Sequence, residues 1–278
     1  MMNLYNDTCF KCSKLITQQY STSFSLGIKA FGKKFRNPIY AIYSFVRYAD
    51  EIVDTFHEHD KSELIEEFKL DTFEAIESGI SLNPVLQAFQ LVVNQYQISL
   101  QHIETFFTSM EMDLYHTCYS RREYSNYIYG SAEVVGLMCL KVFCGDNEVL
   151  YLRLESYAKR LGAAFQKVNF LRDILADYEE RGRVYFPGIG FDAFSATEKE
   201  IIEADIEQDF KKAVSGIKLL PAGARRGVYI AYVYYLDLFR KIRRMPPQTI
   251  VTKRVRISDR RKAWLMVQAL VKNQLNVI

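Results

Sequence analysis

Asp50 and Asp54, in the stretch YAIYSFVRYADEIVDTF, and Asp173 and Asp177, in AAFQKVNFLRDILADYEERGRVYFP, are the residues of this sequence best suited to chemistry. Each pair is spaced four residues apart, which stacks its two carboxylates on one face of a helix. Carboxylates in apolar surroundings are costly unless a cation or a hydrogen-bond donor meets them. Two such pairs facing each other would hold hard divalent cations, and through them a phosphorylated substrate.

The surroundings sharpen this reading. At the angular step of a helix, Tyr43, Arg47, Asp50 and Asp54 fall within roughly 60° of one another. The opposite arc carries Phe45, Val46, Ala49, Ile52, Val53 and Phe56. In the second stretch Gly162, Gln166, Asn169, Asp173 and Asp177 lie within roughly 80°, among Leu161, Ala163, Ala164, Phe165, Val168, Phe170 and Leu171. A solvated stripe would carry Lys and Glu at several positions. Gly162 costs about 1 kcal/mol relative to Ala, which room for something bulky beside the stripe would offset. Taken alone, either pair reads equally as an exposed acid pair or as a salt bridge to Arg47 or Arg172. Repetition of the pattern in two apolar helices favours a site.

The elements that position these residues are helical. Apolar residues recur at three and four, and no stretch alternates as a half-buried strand would. Asn37-Pro38 and Asn83-Pro84 read as caps with Pro at the first helical position. Pro187, Gly188 and Gly190 mark a loop, Pro221 opens a helix, and Pro246-Pro247 separates it from the last one. The expectation is one all-α domain over residues 1–278, a bundle of about eight to ten helices with the acidic pairs on two central ones.

Composition bounds the function. The 278 residues are 49% hydrophobic and 25% charged, as in ordinary globular proteins. A net charge of +3 argues against nucleic acid as a partner. No apolar run approaches the roughly 20 residues of a membrane span, and the start, MMNLYNDTCFKCSK, lacks the apolar core of a signal peptide, so the expected compartment is the cytoplasm. Five cysteines fit a reducing compartment. Cys9 and Cys12 form a CxxC with no second half of a zinc site, and His57 and His59 read as an exposed loop.

Motif order along most of the chain resembles the squalene/phytoene synthase family, the head-to-head prenyl transferases. Tyr20 to Ser25 looks like the family's Ser-x-Ser-Phe segment. Tyr43, Arg47, Asp50 and Asp54 match its first aspartate-rich motif. Tyr127 to Gly130 and on to Gly136 resembles its glycine-containing pocket helix. Gln166, Asn169, Arg172, Asp173 and Asp177, followed by Gly182 to Pro187, match the second aspartate-rich motif and its GRxYxP element. Tyr232 and Arg254 fall where the family places further diphosphate contacts. Ala176 stands where many relatives have Glu, and Glu133 where some have Gly.

The resemblance implies an isoprenoid-synthase bundle with a central cavity for two isoprenoid diphosphates. Asp50, Asp54, Asn169, Asp173 and Asp177 would hold Mg²⁺ or Mn²⁺. Arg47, Arg172, Arg183 and Arg254 would add permanent positive donors. Tyr20, Ser21, Ser23 and Gln166 would contact substrate. Tyr43, Tyr129 and Tyr232 would stabilise the allylic cation and steer the departing diphosphate. Without a glycine-rich dinucleotide fingerprint, and ending at Leu275 to Ile278 without an anchor, the sequence is expected to need no NADPH and to act as a phytoene synthase on geranylgeranyl diphosphate. The alternatives are a C15-using relative making dehydrosqualene, squalene or hydroxysqualene, and a non-enzymatic assembly factor on the same fold. The block Lys253 to Lys262, with six basic residues in ten, suggests peripheral contact with an acidic membrane face.

Overall fold

Local chemistry sets the helix boundaries. Asp60 accepts from the backbone N–H groups of Ser62 and Glu63 at 3.0 and 3.1 Å, and Asn83 accepts from Val85 with Pro84 at the first helical position. Caps of this kind contribute about 1 kcal/mol each. Ser120 with Glu123, and Ser195 with Glu198, form reciprocal capping boxes. Gly79 ends a helix at φ +71°, where a Cβ would be strained.

The computed structural model describes residues 2–189 and 194–274, and over these the chain is all-α, with no strand beyond an isolated bridge between Cys118 and Val184. In order come α1 (Met2–Tyr20), α2 (Thr22–Lys29), α3 (Lys33–Thr55), α4 (Lys61–Ser78), α5 (Pro84–Tyr96), α6 (Leu100–Tyr115) and α7 (Arg121–Ile128). A π-helical turn (Tyr129–Glu133) leads into α8 (Val134–Cys144), then α9 (Glu148–Glu179), α10 (Ala196–Leu219), α11 (Ala222–Arg243), α12 (Pro247–Ile250) and α13 (Asp259–Gln274). The division is finer than the sequence suggested because α2, α7 and α12 are only 8, 8 and 4 residues long. Gly190 and Leu275 to Ile278 lie outside the described residues.

Three expectations are corrected. Pro38 does not start a helix. It sits inside α3, buried, and its ring withholds only the bond that the Lys34 carbonyl would have accepted. Gly162 does not leave room for a bulky ligand group. A Cβ there would lie 2.6 Å from the Ala132 carbonyl oxygen, so the glycine lets α9 approach the π turn. Gly130 does the same on the other side, where a Cβ would meet the Thr105 carbonyl at 2.6 Å. Finally, one run does have the length and hydropathy of a membrane span: Arg121–Cys144, 24 residues through α7, the π turn and α8. It packs against α6 and α9, and 56% of its most apolar window is buried, so its apolarity serves the core.

The two acidic helices belong to different halves of the interior. α3 packs on α1, α4, α5, α6 and α8, in a core where the Phe45 ring stacks on Phe89 at 3.8 Å. α9 packs on α7, α8, α10 and α11, beside a second core built on Phe170, Tyr185, Phe210 and Phe239. A cavity opens where the two halves meet.

Candidate active site

The cavity measures about 550 Å³ and is polar at one end and apolar at the other. Tyr20, Ser21, Ser23, Tyr43, Arg47, Asp50, Gln166, Asn169, Arg172 and Arg254 all line it. Its apolar wall comes from α2, α3, α8, α9, α10, α11 and α13, through residues such as Phe31, Ile39, Leu140, Phe143, Leu154 and Ile217.

The acidic pairs stand near the C-terminal ends of α3 and α9. Both helix dipoles present their negative ends there, which adds to the carboxylates' demand for cations. Arg181 bridges the two helices, its Nε 3.3 Å from Asp54 and its Nη1 3.3 Å from Asp177. Asp173 pairs with Arg172 and, at 2.7 Å, with Arg254 from the segment before α13. Asp50 accepts no hydrogen bond and makes no ion pair among the described residues.

Burial, then the neighbouring Asp54, pushes the Asp50 carboxyl up to about 7 against the opposing pull of Arg47. Burial, then Asp173, pushes Asp177 up to about 7 as well, against Arg181. Asp50 still touches the cavity; its desolvation reflects the protein packed around it rather than lack of access. Burial also holds the Tyr43 phenol protonated, its pKa pushed up to about 12.

The donors around the acids are held in place. Arg47 is paired with Glu51 one turn on, and its guanidinium lies 4.5 Å from the centre of the Tyr20 ring. Ser21 caps α2 by accepting from the Phe24 N–H at 3.2 Å, and the Phe24 ring stacks on Tyr43 at 4.9 Å. Gln166 donates to the Ser131 hydroxyl at 3.3 Å, and Asn169 donates to Gln166 at 3.4 Å. Arg183 lies outside the cavity lining, buried behind the first motif. Its Nη1 donates to Asp54 at 2.8 Å, and its Nε donates to the Asp113 carbonyl at 3.1 Å.

Tyr129 and Tyr232 do not reach the cavity. Tyr129 packs in the first core, with Lys159 Nζ 5.5 Å from its ring centre, and Tyr232 is buried in the second core against Phe210 and Tyr229. The aromatic groups that do face the cavity from that side are Tyr234 and Tyr235, the latter one turn beyond Tyr232. Tyr235 stacks on Phe165 at 4.0 Å and donates its hydroxyl to Asn169 at 3.3 Å. Glu133 is half-buried and outside the lining; burial raises its pKa, opposed by Arg160 and Lys159.

Sequence reasoning also passed over Arg181 and Asp113. Arg181 carried a signal, since it stands four residues after Asp177. Asp113 is a fully enclosed carboxylate accepting hydroxyl bonds from Tyr119 and Tyr185 at 3.0 Å and from Tyr127 at 2.7 Å.

The donor set fits hard divalent cations. Its ligands are all oxygens, one carboxylate is unpartnered, and two carboxyls are raised by burial first and by a neighbouring carboxylate second. No group of three or more acidic, His or Cys side chains is assembled among the described residues.

Residues 17–261 match the family model for squalene/phytoene synthase. The chain is 27% identical over 263 residues to the phytoene synthase of Arthrospira platensis, covering 84% of each. It is also 27% identical over 197 residues to the 4,4'-diapophytoene synthase of Staphylococcus haemolyticus, covering 68% of this chain and 66% of that one. A solved dehydrosqualene synthase shares the fold with a TM-score of 0.81 at 21% identity, over 97% of this chain and 98% of its own. A squalene synthase from Alicyclobacillus acidocaldarius superposes with a TM-score of 0.75 at 18% identity, over 87% and 95%.

Proposed function

This chain belongs to the squalene/phytoene synthase family of prenyltransferases, and we propose that it is a phytoene synthase joining two geranylgeranyl diphosphates head to head. The observation that carries this is the unpartnered Asp50 carboxylate at the polar end of the cavity, with Asp54, Asp173 and Asp177 outside the lining, held by Arg181, which bridges the two aspartate helices, and by the lining residue Arg254. The resemblance to phytoene synthases along most of the chain supports the C20 substrate.

Asp50, Asp54, Asn169, Asp173 and Asp177 would hold Mg²⁺ or Mn²⁺. When bound, such ions neutralise a leaving diphosphate and stabilise charge as its C–O bond breaks. Arg47, Arg172 and Arg254 orient the same diphosphate with donors that stay protonated. Tyr20, Ser21, Ser23 and Gln166 add neutral contacts, and Arg183 fixes Asp54 from behind. Loss of the first diphosphate leaves an allylic cation, which the double bond of the second substrate attacks. A proton is lost and a cyclopropylcarbinyl diphosphate forms. Loss of the second diphosphate, rearrangement and loss of another proton give the linear product. No electrons are added, so no NADPH is required. The Phe165–Tyr235 stack and Tyr43 offer ring faces to the cations and keep water from them.

A C15 substrate is the second reading. It is favoured by similarity to the 4,4'-diapophytoene synthase and by the fold shared with dehydrosqualene synthase. We also propose a cytoplasmic enzyme that touches an anionic membrane surface reversibly through the exposed Lys253, Arg256 and Arg260.

Incubation with farnesyl or geranylgeranyl diphosphate and Mg²⁺ or Mn²⁺, with and without NADPH, followed by product analysis, tests the reading. Phytoene formed without NADPH and abolished by EDTA is expected. Product only from farnesyl diphosphate selects the second reading, and a strict NADPH requirement rules out the first.

A further inference from the structure

At the apolar end the cavity wall carries two rings, Phe31 and Phe143, whose centroids are 5.2 Å apart. This end is far from the acids. From Ile39 to Asp50 along α3 is about 16 Å, and from Leu154 to Asn169 along α9 about 22 Å, at the helical rise per residue.

The position of Phe31 is set by another helix. A Cβ at Gly227 on α11 would stand 2.3 Å from two carbons of the Phe31 ring and 2.8 Å from a third. The ring therefore occupies the space that any other residue at 227 would fill. The backbone beside it is pinned. One turn before Gly227 on α11, the Gly223 carbonyl accepts the Gly32 N–H at 2.9 Å, which ties the turn after α2 to α11. Phe31 cannot follow a retreating backbone.

We infer that Gly227 sets the depth of the cavity, and through it the length of prenyl chain the enzyme accepts. This rests on the reading that prenyl diphosphates bind with their diphosphates at the acidic end. A methyl group at 227 removes the resting place of the ring. Phe31 then turns into the cavity or pushes Phe143, itself a lining residue, into it. Either displacement shortens the apolar end, and the longer chain is excluded first.

Wild type, Gly227→Ala, Phe31→Leu and the double variant would be compared on farnesyl and geranylgeranyl diphosphates by kcat/KM. Calorimetry would give their affinities for the unreactive thiolodiphosphate analogues of both chains. The C20-to-C15 ratio is expected to fall by about tenfold or more in Gly227→Ala, since one methylene in an apolar pocket already discriminates by that much. It should rise in Phe31→Leu and return towards wild type in the double variant, because the three atoms nearest the new methyl all belong to Phe31. General weakening of the fold would lower both substrates alike and would not be rescued by a second core substitution. If the alanine variant fails to fold, the opposite shift in Phe31→Leu decides the matter. Unchanged ratios in turnover and binding overturn the inference. Wild-type protein that binds both analogues but forms no product refutes the proposed reaction, while the binding ratio still tests depth. Binding of neither analogue refutes both.

Discussion

Arg183 Nη1 lies 2.8 Å from Asp54 Oδ1, although 129 residues separate them in sequence. The arginine is buried, and its other nitrogens donate to the carbonyls of Asp113 and Val53 at 3.1 and 3.3 Å. One guanidinium thus ties the end of α3, the end of α6 and the segment after α9 into a single unit. The carboxylate it holds is one of those proposed to bind metal.

Lysine at this position keeps the charge and loses the fork. We expect Arg183→Lys to lower kcat by roughly ten- to a hundredfold, since an oriented bond to a charged group is worth about 1.5–3 kcal/mol. Melting curves should show a smaller loss than the rate does. Wild-type turnover in this variant would show that Asp54 needs no support from behind.

Asp50→Asn and Asp173→Asn should each reduce turnover by roughly a hundredfold or more, through lost metal ligands. Circular dichroism should show unchanged helix content, since the amide is nearly isosteric. Normal rates in both variants would place the chemistry elsewhere.

The metal-free protein should be less stable at higher pH. Asp50 and Asp177 are raised to about 7 in the fold, against about 4 for an aspartate in the unfolded chain. Between those values the folded state binds more protons than the unfolded state, so stability falls as pH rises from about 4 to about 7 and then levels off. Because deprotonated carboxylates are the ligands, Mg²⁺ should raise the melting temperature more at about pH 8 than at about pH 5.5. Asp50→Asn should make the metal-free protein more stable at the higher pH. A metal-induced shift that grows as pH falls would contradict the assignment.

Membrane contact should be electrostatic. Arg254 and Lys262 face the cavity and Arg261 is paired with Asp237, leaving Lys253, Arg256 and Arg260 outward. Each contributes about 1 kcal/mol near an anionic surface. Flotation with anionic liposomes should succeed at low salt, weaken at high salt, and decline in Arg256→Glu with Arg260→Glu. Equal, salt-independent binding to neutral lipid would refute the electrostatic contribution.

The sequence displays what short-range geometry decides. The spacing of Asp50 with Asp54 and of Asp173 with Asp177 predicted two acidic helix faces, and the Asn83–Pro84 cap lies where its chemistry puts it. What long-range packing decides was hidden. Tyr232 and Tyr235 are both tyrosines on α11, and the face that α11 turns to α9 determines which one meets Asn169. Asp113 looks like a surface acid in MEMDLY until Arg183 and the tyrosines of distant segments close over it. Pro38 fits inside α3 because the bond it removes lies near the start of the helix. Gly162 marks a close helix approach, a role that its stripe could not distinguish from ligand space.

The π turn at Tyr129–Glu133 is where this wall of the pocket absorbs a change in chain length. The Val134 N–H bonds back to the Tyr129 carbonyl, so the turn holds one residue more than an α-helical turn. Deleting a single residue there would let the turn close as regular α-helix, and because four residues at about 100° each turn through nearly the same angle as the five of the π turn, α8 would keep nearly the same facing. Val135, Gly136 and Cys139 would stay on the cavity wall, and only the close approaches at Gly130 and Gly162 would have to readjust. Descendants of this chain could lose a residue from the segment more easily than they could place a side chain at 130, where a Cβ would meet the Thr105 carbonyl at 2.6 Å.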